Sequence, residues 1–148
     1  MKRKLLVGIP LVLVLLGAVY ALLFLRSGGP LDGTPTPVPP DWAAQSAVSV
    51  VQLETRPEDP YSVNLWMVAM GPAIYLHAGA NRTAWVEHIE ANPQVRLRID
   101  EALFDLVASR VADPAEFAAF ADDYERKYGV RPRNENVDEV YLFRLTAR

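Results

Sequence analysis

The chain has 148 residues, with 15 Lys and Arg, 18 Asp and Glu, 51% hydrophobic residues, two histidines and no cysteine. This composition excludes disulfide staples, thiolate chemistry, Cys-based zinc or iron–sulfur centres and a His-rich metal cage. Lys2, Arg3, Lys4 and Arg26 flank one apolar run, which leaves 11 Lys and Arg against 18 Asp and Glu from Gly28 onward, a formal net of −7. An acidic body is poorly suited to nucleic acid, because phosphate binding relies on clustered Lys and Arg to release counterions, so no nucleic-acid partner is expected.

Residues 5–25 form a stretch of 21 without a charge. As a helix it would extend about 31 Å, close to the hydrocarbon thickness of a bilayer. The run is longer than the apolar core of a signal peptide and ends on Leu23-Phe24-Leu25-Arg26 rather than on small residues. Residues 1–26 are therefore expected to be an uncleaved, single-pass transmembrane anchor. The basic cluster ahead of the span sets the N-terminus in the cytoplasm and the C-terminal domain on the exported side. Residues 27–41, rich in proline and glycine, read as a semi-extended linker spacing that domain from the membrane.

From Trp42 onward the pattern changes to that of a folded domain, residues 42–148. Residues 48–55 are β-branched-rich and read as a strand, followed by a turn at Arg56-Pro57-Glu58-Asp59-Pro60. Strict alternation over 61–70 predicts a strand, and Gly71-Pro72 turns it into a partner at 73–78. A helix over 82–91 stops at Asn92-Pro93, since the residue before proline avoids the helical region. Residues 95–100 and 103–111 predict a further strand pair. A second helix carries an Asp113 cap, Pro114 at its first position, a capping-box-like Glu116 and a closing Gly129. Its stripe of Phe117, Phe120, Ala121, Tyr124 and Tyr128 reads as core packing. The last strand candidate is 141–145. Six short strands with two helices predict an α+β fold around a mostly antiparallel, closed or half-open barrel.

No nucleophile elbow, P-loop, zinc helix or dinucleotide fingerprint occurs. One segment stands out, His77-Ala78-Gly79-Ala80-Asn81-Arg82-Thr83, between a strand end and a helix start. Small residues leave its backbone open, and helix N–H groups beside Arg82 and the Thr83 hydroxyl could hold an anion. The alternative is a plain loop in which Asn81 or Thr83 caps the helix. His77 could orient a ligand or be structural. Arg96 and Arg98 share one strand face, as a solvated stripe pairing with neighbouring carboxylates at little net gain or as a phosphate groove, and Trp66 and Trp85 could stack on a flat ring or pack in the core.

The runs Asn64-Leu65-Trp66-Met67-Val68, Ile74-Tyr75-Leu76 and Trp85-Val86-Glu87-His88-Ile89-Glu90-Ala91-Asn92-Pro93-Gln94-Val95-Arg96-Leu97 carry a resemblance, together with Tyr141-Leu142-Phe143-Arg144-Leu145. The chain resembles the split-barrel flavin-binding superfamily, whose prototype is pyridoxamine 5′-phosphate oxidase, and within it the deazaflavin (F420)-dependent nitroreductase-like branch. That resemblance implies a six-stranded split barrel, FMN or F420 as cofactor, hydride transfer to a small organic molecule, and a homodimer whose second copy completes the ligand groove. It places the cofactor against His77, Ala78, Gly79, Asn81, Arg82, Thr83 and Trp85. The branch's Gly-Arg-Lys-Ser-Gly type turn is replaced here by Thr55-Arg56-Pro57-Glu58-Asp59-Pro60, keeping Arg56 and adding two acids that repel phosphate. The alternative is a non-catalytic split-barrel module that has lost the cofactor and binds a lipophilic ligand or a partner protein.

Overall fold

The computed structural model describes residues 28–148, so the expected anchor lies outside the described residues. Among those residues no helix is long and apolar enough to cross a membrane. The alternating segments all form strands: β2 (Val50–Thr55), β3 (Tyr61–Met70), β4 (Ala73–Gly79), β5 (Gln94–Ile99), β6 (Ala102–Arg110) and β7 (Tyr141–Ala147). They neighbour one another in the order β6-β5-β2-β3-β4-β7, and β7 pairs back onto β6. Every one of these pairings is antiparallel, so six strands close a barrel that has no free edge between them.

The sequence periodicity explains which side chains enter the barrel. Val51 and Leu53, Val95 and Leu97, and Phe104 and Leu106 alternate with outward polar residues, and each is buried in one interior cluster. Helix α1 (Ala84–Ala91) contributes Trp85, Val86 and Ile89 to that same cluster. It lies at the β2–β3 end, where the His88 Nδ1 and the Thr55 Oγ1 are 2.9 Å apart. Trp42 enters from the other end, where its backbone N–H donates to the Gly71 carbonyl in the β3–β4 turn.

Helix α2 (Pro114–Tyr128) lies outside the barrel and makes a second core. Phe117, Phe120 and Ala121 pack on Val68, Tyr75 and Leu142, which explains why β4 is apolar on both faces. Asp113 caps α2 by accepting from the Ala115 N–H at 3.0 Å, and Gly129 ends it at φ +76°. Glu116 accepts from the Tyr75 hydroxyl at 2.7 Å and from Arg144 at 2.9 Å, pinning the first turn of α2 to the barrel wall. At the other end Lys127 donates to the carbonyls of Val48 and Met67, and the single hydrogen of the Tyr128 hydroxyl lies between the carbonyls of Met67, at 2.7 Å, and Ser49, at 2.9 Å.

The proline-rich segment departs from a free spacer. Thr34–Pro35 forms a short strand, β1, parallel to β6 at Ala102 and Leu103, beyond the stretch where β7 pairs. Thr34 and Thr36 donate to the carbonyls of Glu101 and Leu103, and the Leu31 N–H donates to the Glu54 carboxylate at 2.6 Å. A side chain at Gly33 would crowd this docking, because a Cβ would lie 3.0 Å from the Glu101 carbonyl oxygen. Proline removes helix and sheet-centre options but suits an extended edge segment, which is what this strap is.

Candidate functional site

The segment 77–83 runs from the end of β4 into α1 through a register shift at Gly79, whose φ is +61°. A Cβ there would meet nothing within 4 Å, so the backbone is open to close approach. Thr83 stands at the N-cap of α1 with extended backbone, but its side chain makes no capping bond. Ala78 packs against the barrel interior. Arg82 reaches across to Glu90 at 2.7 Å and Glu87 at 3.2 Å, while remaining exposed. Asn81 is exposed, and its carbonyl accepts from the Thr83 N–H.

Trp85 and His77, expected near one another on a ligand wall, point to different places. Trp85 is 4% exposed inside the barrel, edge-on to Phe143 at 5.7 Å. His77 points outward beneath α2, among the rings of Phe117, Phe120 and Tyr124. Its Nε2 is buried without a hydrogen-bond partner, and burial holds its pKa below 6.5. With the folded-state pKa depressed, the neutral ring fits at pH above 6.5, and stability is lost as pH falls below 6.5. Melting temperature measured against pH should therefore drop on acidification, and His77→Phe should remove this component of the drop.

Arg56 adopts φ +55° in the β2–β3 turn and pairs with Asp59 at 3.0 Å. The turn stands near α1, but Arg56 is committed to its own loop rather than to the 79–83 bend. Trp66 is 53% exposed and lies parallel to the Tyr128 ring, with centroids 4.7 Å apart.

The Arg stripe does pair with a neighbouring carboxylate, but with Glu54, which the sequence did not single out, and in a pair whose carboxylate is buried rather than solvated. Arg96 grips Glu54 through two bonds of 2.7 Å, from Nε and Nη2 to the two carboxylate oxygens, across the β2–β5 ladder. Arg98, on the same face, donates instead to the Asp32 carbonyl of the strap. Arg96 and Arg98 thus hold this side of the molecule together, and Glu54 can be matched to the Arg stripe only once the β2–β5 register is known. Beside the pair is a cleft of about 260 Å³ walled by the β2–β3 turn and by Asp105 and Arg148.

No protein-family model matches the chain, and no curated protein matches it in sequence. Solved structures do match. An F420 reductase superposes with TM-score 0.52 at 16% identity, covering 73% of this chain and 93% of that one. The fold is a split barrel. This split barrel is also similar to ChuZ of Campylobacter jejuni, with TM-score 0.55, 13% identity, and 70% and 50% of the two chains covered. A candidate pyridoxamine 5′-phosphate oxidase from Listeria innocua gives TM-score 0.53 at 13% identity, covering 66% of this chain and 82% of that one.

Proposed function

We propose that this split barrel is a membrane-anchored oxidoreductase that binds FMN or F420, as a homodimer, at the 79–83 bend. The observation that carries the reading is the uncapped first turn of α1, lying beside an exposed Arg82 on a fold that an F420 reductase shares. Those residues fit a phosphate. The first-turn N–H groups lack a side-chain acceptor, Gly79 admits close backbone approach, and the Arg82 pairs are solvent-exposed. Exposed pairs contribute only about 0–1 kcal/mol, so a dianion offering a two-pronged, charge-assisted contact can displace them. When bound, the ring would supply hydride transfer, and the protein's part is to hold the phosphate end at Arg82 and Thr83. The charge-free run 5–25 supports the anchor, and its basic leader supports export of the barrel.

Titrating the full chain in detergent with FMN and with F420, read by ring fluorescence, tests this. Saturable binding of one of them is expected, weakened at least about tenfold in Arg82→Ala. Glu87→Gln, removing a negative charge from the vicinity, should tighten it by about two- to fivefold. The second reading, a cofactor-free binding module, is favoured by the ion pairs that already occupy Arg56 and Arg82. Absence of binding by both ring systems would select it.

A further inference from the structure

We propose that the cleft beside the Glu54–Arg96 pair and the adjoining trough along the strap form one site for a zwitterionic phospholipid, head group in the cleft and proximal tail in the trough. The cleft, of about 260 Å³, lies between Pro57 and Pro60 of the β2–β3 turn and the strands β5 and β6. It is smaller than the 300 Å³ or so at the low end of ordinary ligand pockets, which restricts it to a small polar group. Its side-chain charges cancel, with Glu54 and Asp105 against Arg96 and Arg148. A lone anion meets two carboxylates there and a lone cation meets two guanidinium groups. A molecule with both charges separated can face each to its opposite.

The free charges are at the mouth. Arg148 is fixed by donating to the carbonyls of Leu106 and Val95, and stands 3.9 Å from Asp105, too far for a direct hydrogen bond. That loosely matched couple offers a guanidinium for phosphate and a carboxylate for ammonium. Arg148 and Asp105 also line the second hollow, of about 570 Å³, which runs between the strap and the strand ends. Its other walls include Pro35, Pro37, Val38, Leu103 and Ala147, an apolar lining continuous with a charged mouth. Polar head next to apolar trough is the chemistry of an amphiphile.

The chain's own layout selects a membrane source. Gly28 lies against the Tyr61 ring, next to Pro60 of the cleft wall. Only Arg26 and Ser27 separate it from the charge-free run, so at about 3.6 Å per residue the run ends within about 11 Å of Gly28. This step rests on the anchor reading, and the two separate by experiment.

The full chain in detergent micelles is titrated with O-phosphoethanolamine, inorganic phosphate, ethanolamine and lysophosphatidylethanolamine, read by amide chemical shifts of residues 94–97 and 105. Phosphoethanolamine should bind at least about tenfold more tightly than phosphate or ethanolamine alone, and the lysolipid more tightly again. Arg148→Gln and Asp105→Asn, both at exposed side chains, should each weaken the two zwitterions about tenfold. Equal binding of inorganic phosphate, indifference to both substitutions, or a lysolipid no better than its head group overturns the proposal. In nanodiscs, phosphatidylethanolamine but not phosphatidylglycerol should protect the amides of Arg56, Glu58, Asp59 and Tyr61 from exchange. Head-group binding in micelles without that protection overturns the membrane source. Failure of the chain to sediment with membranes removes the anchor reading and leaves the micelle result standing by itself.

Discussion

Glu54→Ala is expected to destabilise the domain by about 3 kcal/mol and to loosen the strap before the barrel unfolds. The carboxylate is 4% exposed and accepts three hydrogen bonds, one from Leu31 and two from Arg96. Removing one partner of a buried ion pair costs about 3–5 kcal/mol, because the remaining charge is stranded. Arg96 is 32% exposed on its side chain and can turn towards water, which places the loss at the low end. The Leu31 N–H has no such escape while the strap stays docked, so the strap is the part that should open. Amide exchange at Leu31, Thr34 and Thr36 should accelerate more than that of β2 and β5, with chemical denaturation giving the global loss. Equal acceleration in strap and barrel would mean that the strap is not held by Glu54. Glu54→Gln retains shape but not charge and should fall between.

The barrel was legible because alternation is a local signal: each strand's inward face is written every second residue, and the turns are marked by Gly71-Pro72 and by the two prolines at 57 and 60. The end of α2 was legible for the same reason, since Asp113, Pro114 and Gly129 act on their immediate neighbours. The strap was not. Proline and glycine show only which structures are unavailable, whereas docking depends on Leu31 meeting Glu54, 23 positions away. The Glu54–Arg96 pair spans 42 positions and is equally invisible until the β2–β5 register is known. The Arg82 pairs were hidden for a similar reason: Arg82 precedes the helix, and Glu87 and Glu90 stand five and eight positions on, outside the spacing at which helical neighbours meet. The direction of Trp85 depends on how α1 docks across the barrel, which its eight residues alone leave open.

Trp42→Ala should produce a comparable or larger loss, about 3–5 kcal/mol, which is the usual cost of removing a large aromatic side chain from a core. The ring is fully buried and meets Phe104 edge-on at 4.9 Å. Melting temperature should fall by more than about 10 °C. Trp42→Phe should cost less than half as much, because the indole N–H it removes is buried without a partner. A Phe variant as damaging as Ala would mean that the indole volume, not the aromatic contact, holds the end closed. The consequence reaches function. Trp42 fills one end of the barrel and Trp85, Val86 and Ile89 fill the other, with Leu53, Leu76, Leu97 and Leu106 buried between them. The packed interior therefore leaves a ligand only the outer surface, which is where both proposed sites lie, the 79–83 bend and the cleft beside the Glu54–Arg96 pair. The Ala variant offers a direct check: an apolar void lined by side chains of this kind stays dry and accepts a small aromatic molecule. Indole should restore melting temperature to Trp42→Ala and leave the parent chain unchanged, whereas a shift in the parent would reveal interior space that the packed tryptophans leave no room for.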